Sequence, residues 1–262
     1  MVYDPEAVRE TYDEIAEMED TFEKGFSLRN EIPREFIRRY LRPSDVVLDA
    51  GGGSGINAIV MARHCRHVTL VDISPRILEL AAINVDDAGL SAKIDLIEGD
   101  IADLKRLGDA EFSFVVCVGG TLSYLLEKGQ QAIRELVRVA RRDAVLIVGC
   151  DSRYGFVRWL LNGGASESRL NTAVEVYETG TYQAAEGVYA RLYTAAELTG
   201  QLEQAGCEVL ETASTPTILD GWDQSSYPEE SRDKLVALEL NVCIAPELLG
   251  AGHHLLCIAR KL

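Results

Sequence analysis

Between Asp45 and Cys150 the chain keeps returning to one pattern: a short apolar run rich in β-branched residues, followed by a longer stretch of helical character. "DVVLDA" leads into "GINAIVMARHC" and "HVTLVDI" into "SPRILELAAINVDDAG"; "KIDLIEGD", "FSFVVCVGG", "QQAIRELVRVAR" and "DAVLIVGC" follow. Short strands apolar on both sides, alternating with helical stretches of ten or more residues, imply βαβ units and a doubly wound α/β fold, its parallel sheet covered on both faces. Helix punctuation agrees, because Pro75 follows a capping Ser74 and Gly89 closes the same segment.

The rest of the chain is arranged around that core, residues 44–150, as one domain of 262 residues. Residues 1–43 form a helical cap, with one helix expected from Pro5 to Met18 and another from Glu31 to Leu41, ended by "RPSD". Residues 151–188 lose the alternation over a span too long for a simple connection and read as a lid over the C-terminal edge of the sheet. Residues 189–262 hold a helix, "TAAELTGQLEQAG", and two strands, "CEVLETAST" and "GHHLLCIARKL". A second insertion at 216–252 separates those strands and contains a helix in "PEESRDKLVALELNV".

A formal net charge of −16 leaves no basic patch able to neutralise a run of phosphates, so nucleic acid and anionic membranes are poor partners. A small molecule or a protein is the better fit. Six cysteines, at 65, 117, 150, 207, 243 and 257, occur singly and mostly in apolar runs, as buried thiols of a reducing, cytoplasmic compartment do. Their spacing offers no metal site. The polar, acidic N-terminus is unlike a signal or transit peptide, and no apolar run is long enough to span a membrane.

The first strand ends in "VVLDAGGGSG", four glycines within Gly51 to Gly55. Such a loop lets backbone approach a ligand closely and aims N–H groups and a helix dipole above the strand ends, which suits a nucleotide-type cofactor. Read from Gly53, "GSGINA" satisfies the G-x-G-x-x-A dinucleotide fingerprint, and an NAD-dependent oxidoreductase is therefore one reading. Asp49 argues otherwise, since a carboxylate at that strand tip opposes a pyrophosphate and attracts a cofactor bearing ammonium and sulfonium charges. Asp72 and Asp100, at the ends of the next two strands, complete a row of three acids.

In this order and spacing, "VVLDAGGGSG", "VTLVDIS", "IEGDIADL" and "FSFVVCVGGTLSYL" resemble the class I S-adenosylmethionine-dependent methyltransferases of the small-molecule type related to ubiquinone-biosynthesis enzymes. The likeness implies a Rossmann-like seven-stranded sheet with a terminal antiparallel strand, S-adenosylmethionine as cofactor and S-adenosylhomocysteine as product. By the same likeness, Gly51, Gly53 and Gly55 line the methionine part, Asp49 lies near its amino group, and Asp72 takes the ribose hydroxyls. Ile73 packs on adenine, Asp100 and Ile101 meet its edge, and Val118 and Gly119 contact methionine. The chain departs from the family in placing more than thirty residues between its last two strands.

Other residues keep two readings. Tyr12 folds over the cofactor in relatives with a similar "YD-x-x-A" helix, or is an aromatic on the apolar face of the cap. Arg29 pairs with the cofactor carboxylate, a match for a guanidinium, or is solvated. Tyr124 begins the acceptor pocket or is core. Tyr154, Trp159 and Trp222 face the acceptor or pack the lid, and His253 is a base or structural. The absence of an N/D-P-P-Y stretch after the fourth strand argues against an amine-methylating nucleic-acid enzyme, and the absence of D-S-S/T-D against a polyamine synthase. The expectation is a methyltransferase acting on a small O, N, C or S acceptor by in-line displacement, its catalytic group and oligomeric state not set by the sequence. A non-catalytic S-adenosylmethionine-binding regulator is the other alternative.

Overall fold

A computed structural model describes residues 1–219 and 227–262. Trp222 lies outside the described residues.

The sheet core is built from β1 (Val46–Ala50), β2 (His67–Asp72), β3 (Ile94–Glu98), β4 (Phe112–Cys117) and β5 (Ala140–Asp151), with β8 (Cys207–Thr215) and β9 (His254–Lys261). These seven strands run in the order β3-β2-β1-β4-β5-β9-β8. Only β9 is antiparallel to its neighbours, pairing with both β5 and β8. The order reverses between β1 and β4, where the crossovers part to opposite faces and open a crevice above the strand ends.

Burial on both faces explains the apolar strands. Val47 and Leu48 alternate to opposite sides and are both fully buried. Val47, Phe114, Val116 and Ile147 pack with α3 (Leu28–Tyr40) and α4 (Ile56–Ala62); Leu48, Val115, Leu146 and Val148 pack with α6 (Gly129–Val139) and α9 (Ala195–Gln204). The helix α5 (Pro75–Asp87) starts as expected, the Ser74 hydroxyl accepting from Ile77 N at 3.0 Å.

Two expected helices differ in their limits. The cap's first helix is two, α1 (Pro5–Glu14) and α2 (Ala16–Lys24), divided at Ile15, whose ψ of 10° leaves the helical region. The cap's last helix, α3, begins three residues before Glu31 because Ser27 caps it, accepting from Arg29 N. Residues 151–188, expected as a single irregular span, contain α7 (Arg153–Asn162), α8 (Glu167–Thr179) and β6 (Thr181–Ala185), which pairs with β7 (Val188–Arg191) in a separate hairpin. The hairpin therefore runs past residue 188. The later insertion supplies α10 (Arg232–Val242).

Candidate functional site

Above the crevice lies a cavity of about 250 Å³. Its floor is the glycine loop and the ends of β2, β3 and β4; its roof is the cap, through Tyr3, Tyr12, Glu19, Phe22, Glu23 and Arg29. Gly51, Gly53, Asp72, Ile73, Asp100, Ile101, Val118 and Gly119 all line it, as do Tyr124 and His253. Gly55 and Asp49 lie beneath the lining, and Tyr154 and Trp159 lie outside it, both exposed. Trp159 still bears on the cavity indirectly, its ring 5.7 Å from that of His253 and 5.1 Å from that of Phe156, a lining residue.

The glycine loop is glycine by necessity. Gly51 and Gly53 have φ of +70° and +57°, a region L side chains rarely adopt. A Cβ on Gly51 would stand 2.4 Å from Thr121 Cγ2, and one on Gly53 2.0 Å from Glu23 Oε1. The loop N–H groups are not left open to an anion, however. Gly51 N and Gly52 N donate to Val71 O (2.7 and 3.2 Å), Gly53 N to Asp72 Oδ2 (3.0 Å), and Ser54 N to Glu23 Oε1 (3.3 Å). A backbone carbonyl and two carboxylates take the donors that a phosphate cradle would offer, which argues against a pyrophosphate here.

Acid density is the main electrostatic feature of this end. Asp49 is 1% exposed, and its Oδ2 has no hydrogen-bond partner. Burial, then the charges of Glu23 and Asp72, push its pKa up to about 8. Burial likewise pushes Glu23 up to about 7, against the lowering effect of its bonds from Ser54, and raises Asp72 against the N–H bonds it accepts. Three carboxyls crowded in a water-poor space with one oxygen unsatisfied form a site short of positive charge.

The other end is different in kind. Asp151 ends β5, His254 begins β9, and Tyr124 meets Tyr12 edge-on at 5.6 Å between ring centres. Burial, then Arg29, push His253 down to about 3 and His254 well below its ordinary value, so both imidazoles are neutral. Asp151 rises to about 6 by burial, partly offset by Arg29. Arg29 thus supplies the positive charge felt at this end.

Several lining residues had no sequence signal. Glu23 is an ordinary acid of a polar helix until α2 lays it over the glycine loop. Tyr3, whose hydroxyl donates to Asp100 Oδ2 at 3.0 Å, precedes the first helix. Asp151 and His254 are brought together by strand pairing across more than a hundred residues of chain.

Residues 47–143 match the family model described as a methyltransferase domain. A release factor glutamine methyltransferase of Rhodopirellula baltica is 42% identical over 132 residues, 50% of this chain and 42% of that protein. Among solved structures, the [4+2]-cyclase SpnF superposes with a TM-score of 0.66 at 18% identity, covering 99% of this chain and 97% of the other. The 1,6-didemethyltoxoflavin-N1-methyltransferase of Burkholderia thailandensis, solved with its substrate and S-adenosylhomocysteine, gives 0.62 at 16% identity, covering 97% and 87%. The strand order and these superpositions give the chain the Rossmann-like fold of the class I S-adenosylmethionine-dependent methyltransferases, and residues 47–143 are similar in sequence to a methyltransferase domain. The chain spans less than half the length of several curated relatives that it matches. The site fits that cofactor: the unsatisfied Asp49 oxygen, the acids around it and the close-approach glycines suit a ligand carrying positive charge.

Proposed function

We propose that this protein is a methyltransferase acting on a small molecule, with donor and acceptor held at opposite ends of the one cavity. Bound S-adenosylmethionine supplies an electrophilic methyl group on a positively charged sulfur. Asp49, Glu23 and Asp72 lower the energy of that charge, Asp72 accepts from the ribose, and Arg29 is placed to pair with the methionine carboxylate. Ile73 and Ile101 pack against adenine, with Asp100 at its edge. Val118 and Gly119 flank the methionine portion, and Gly55 lets α4 start hard against the loop. Tyr12 and Tyr124 stand where the two ends meet and exclude water from the line of attack.

The roof carries the small-molecule reading. Among the described residues, two cap helices pinned to the floor, by Glu23 on Ser54 and by the Ser74 hydroxyl donating to Asp13 (2.5 Å), roof the cavity, which favours a small acceptor over a polypeptide or a nucleic-acid strand. The net charge of −16 points the same way. We assign the acceptor to the end lined by Tyr124, Phe156 and His253, with residues 151–191 as its lid and Trp159 and Tyr154 as the lid's packing residues. Neither a membrane partner nor an oligomer enters this reading; no described helix is long and apolar enough to cross a membrane.

Two measurements test it. Calorimetry with S-adenosylmethionine, S-adenosylhomocysteine and NAD should show binding of the first two; binding of NAD alone would sink the donor assignment. Incubation of radiolabelled methyl donor with fractionated cell extract should put label in the low-mass fraction, whereas label confined to protein or RNA would overturn the acceptor class. Donor binding without label in any fraction would favour the regulatory alternative.

A further inference from the structure

We propose that Asp151, His253 and His254 form a binding site for one first-row divalent metal ion at the acceptor end of the cavity, leaving a coordination position for an acceptor oxygen. The acceptor's part in this rests on the methyltransferase reading; the binding of the ion does not.

Strand pairing brings the three side chains together. Asp151, last in β5, is registered directly against His254, first in β9. Consecutive strand residues point to opposite faces, but the chain bends at His253, and the two imidazole ring centres lie 5.1 Å apart. One nitrogen from each ring and one carboxylate oxygen of Asp151 fall within 4.8 Å of one another, and all three residues are buried. On bonds of about 2.1 Å trans ligands stand about 4.2 Å apart and tetrahedral ligands about 3.4 Å, so atoms as far apart as the 4.8 Å bound would draw together on binding.

The His254–Asp151 contact separates this arrangement from an ordinary buried ion pair. Nδ1 of His254 lies 3.1 Å from Asp151 Oδ1, yet makes no hydrogen bond, because the geometry is wrong for one. His254 is 6% exposed, so that nitrogen has no water to turn to. Spacing of about 3 Å without hydrogen-bond alignment is what two neighbouring ligands of one ion show.

The backbone that carries the histidines is fixed on several sides. Ser152 N donates to His253 O at 2.8 Å, the Ser152 hydroxyl to Gly250 O at 2.9 Å, and Gly252 N to Ser214 Oγ at 2.7 Å. A Cβ on Gly252 would lie 2.5 Å from Thr215 N, so that turn can be only glycine. Ligands held this way have little conformational freedom to lose on binding.

Two imidazoles and a carboxylate favour Mn²⁺, Fe²⁺, Co²⁺ or Zn²⁺ over the all-oxygen preference of Mg²⁺ and Ca²⁺. Arg29 opposes the ion, its charge reaching Asp151 and both rings. With Arg29 paired to the methionine carboxylate, a dication beside the one carboxylate of the ligand set, Asp151, leaves one positive charge over, which an anionic oxygen would neutralise. The acceptor class that answers this is a phenol or enol, whose hydroxyl would release its proton to solvent on coordination.

The test uses the full chain stripped with chelator and titrated with Co²⁺, followed by visible absorption and calorimetry. One Co²⁺ per chain should bind, with Zn²⁺ displacing it, and Asp151→Asn and His254→Gln should each weaken binding about tenfold or more. Crystals soaked in Zn²⁺ should show an anomalous peak at bonding distance from His254 and Asp151, a readout that needs no variant to fold. Absence of saturable binding, a peak elsewhere, or variants that bind as tightly as the parent would overturn the site. S-adenosylhomocysteine titration of the stripped protein is independent of these results, so failure of the donor reading and failure of the metal site are told apart.

Discussion

Asp49 concentrates the conflict of the donor end in one side chain. Its ordinary pKa is 3.8 and its folded value about 8, so between these limits the folded protein keeps a proton that the unfolded chain gives up. Stability of the ligand-free protein therefore falls as pH rises from about 4 to 8, and the full penalty applies above that. At about 1.4 kcal/mol for each tenfold in proton affinity, the cost is on the order of a few kcal/mol. Asp49→Asn should accordingly raise the melting temperature more at pH 9 than at pH 6, while weakening S-adenosylmethionine by tenfold or more; equal shifts at both pH values would contradict the assignment. A positively charged ligand should also strip protons from Asp49 and Glu23, whose pKa is about 7. Calorimetry at pH 7 in buffers of different ionisation heat should then register net proton release, reduced in Glu23→Gln. Asp49, Asp72 and the glycines were legible in the sequence because they stand in consecutive strand ends and one loop. Glu23 was not, because nothing local distinguishes an acid that solvates a helix from one that a helix carries onto a glycine loop.

At the scale of elements, glycine marks where one backbone presses on another, and sequence alone does not say which glycines do so. Gly155, within α7, has its would-be Cβ 1.8 Å from Gly252 O. Gly155→Ala should therefore push α7 off the segment entering β9 and destabilise by about 1–3 kcal/mol, as overpacking does. Gly200, within α9, has nothing within 4 Å of a Cβ, and Gly200→Ala should stabilise by about 0.5–1 kcal/mol through helix propensity. Urea denaturation of both variants checks the contrast, and a like sign for the two would refute it. The alternation of strands and helices in residues 44–150 was readable because each element repeats its own period. The division of the cap at Ile15 was not, since "YDEIAEM" keeps a helical composition through the break and only docking of α1 and α2 onto α5 separates them. The segment after β5 read as irregular because α7 and α8 expose apolar residues such as Leu161, Leu170 and Tyr177, which blurs their amphipathic pattern.

For the molecule as a whole, the cavity couples parts that the sheet alone would leave independent. The cap touches the floor through Tyr3 on Asp100, Glu23 on Ser54 and Asp20 accepting from Asn84 at 2.8 Å. Such polar, partly exposed fastenings open at lower free energy than the apolar sheet between α3 and α6. A ligand that binds between cap and floor should therefore slow amide exchange in α1 and α2 far more than in β8 at the sheet edge. At a hundredfold excess over its dissociation constant it stabilises by about 2.7 kcal/mol, which for a chain of this size raises the melting temperature by roughly 5–10 °C. Hydrogen-exchange mass spectrometry with and without S-adenosylhomocysteine reads both scales at once: protection confined to residues 5–24 and the glycine loop is expected. Uniform protection would mean the cap and sheet already open together, and protection that spared the cap would place the ligand somewhere other than beneath Glu23 and Tyr12.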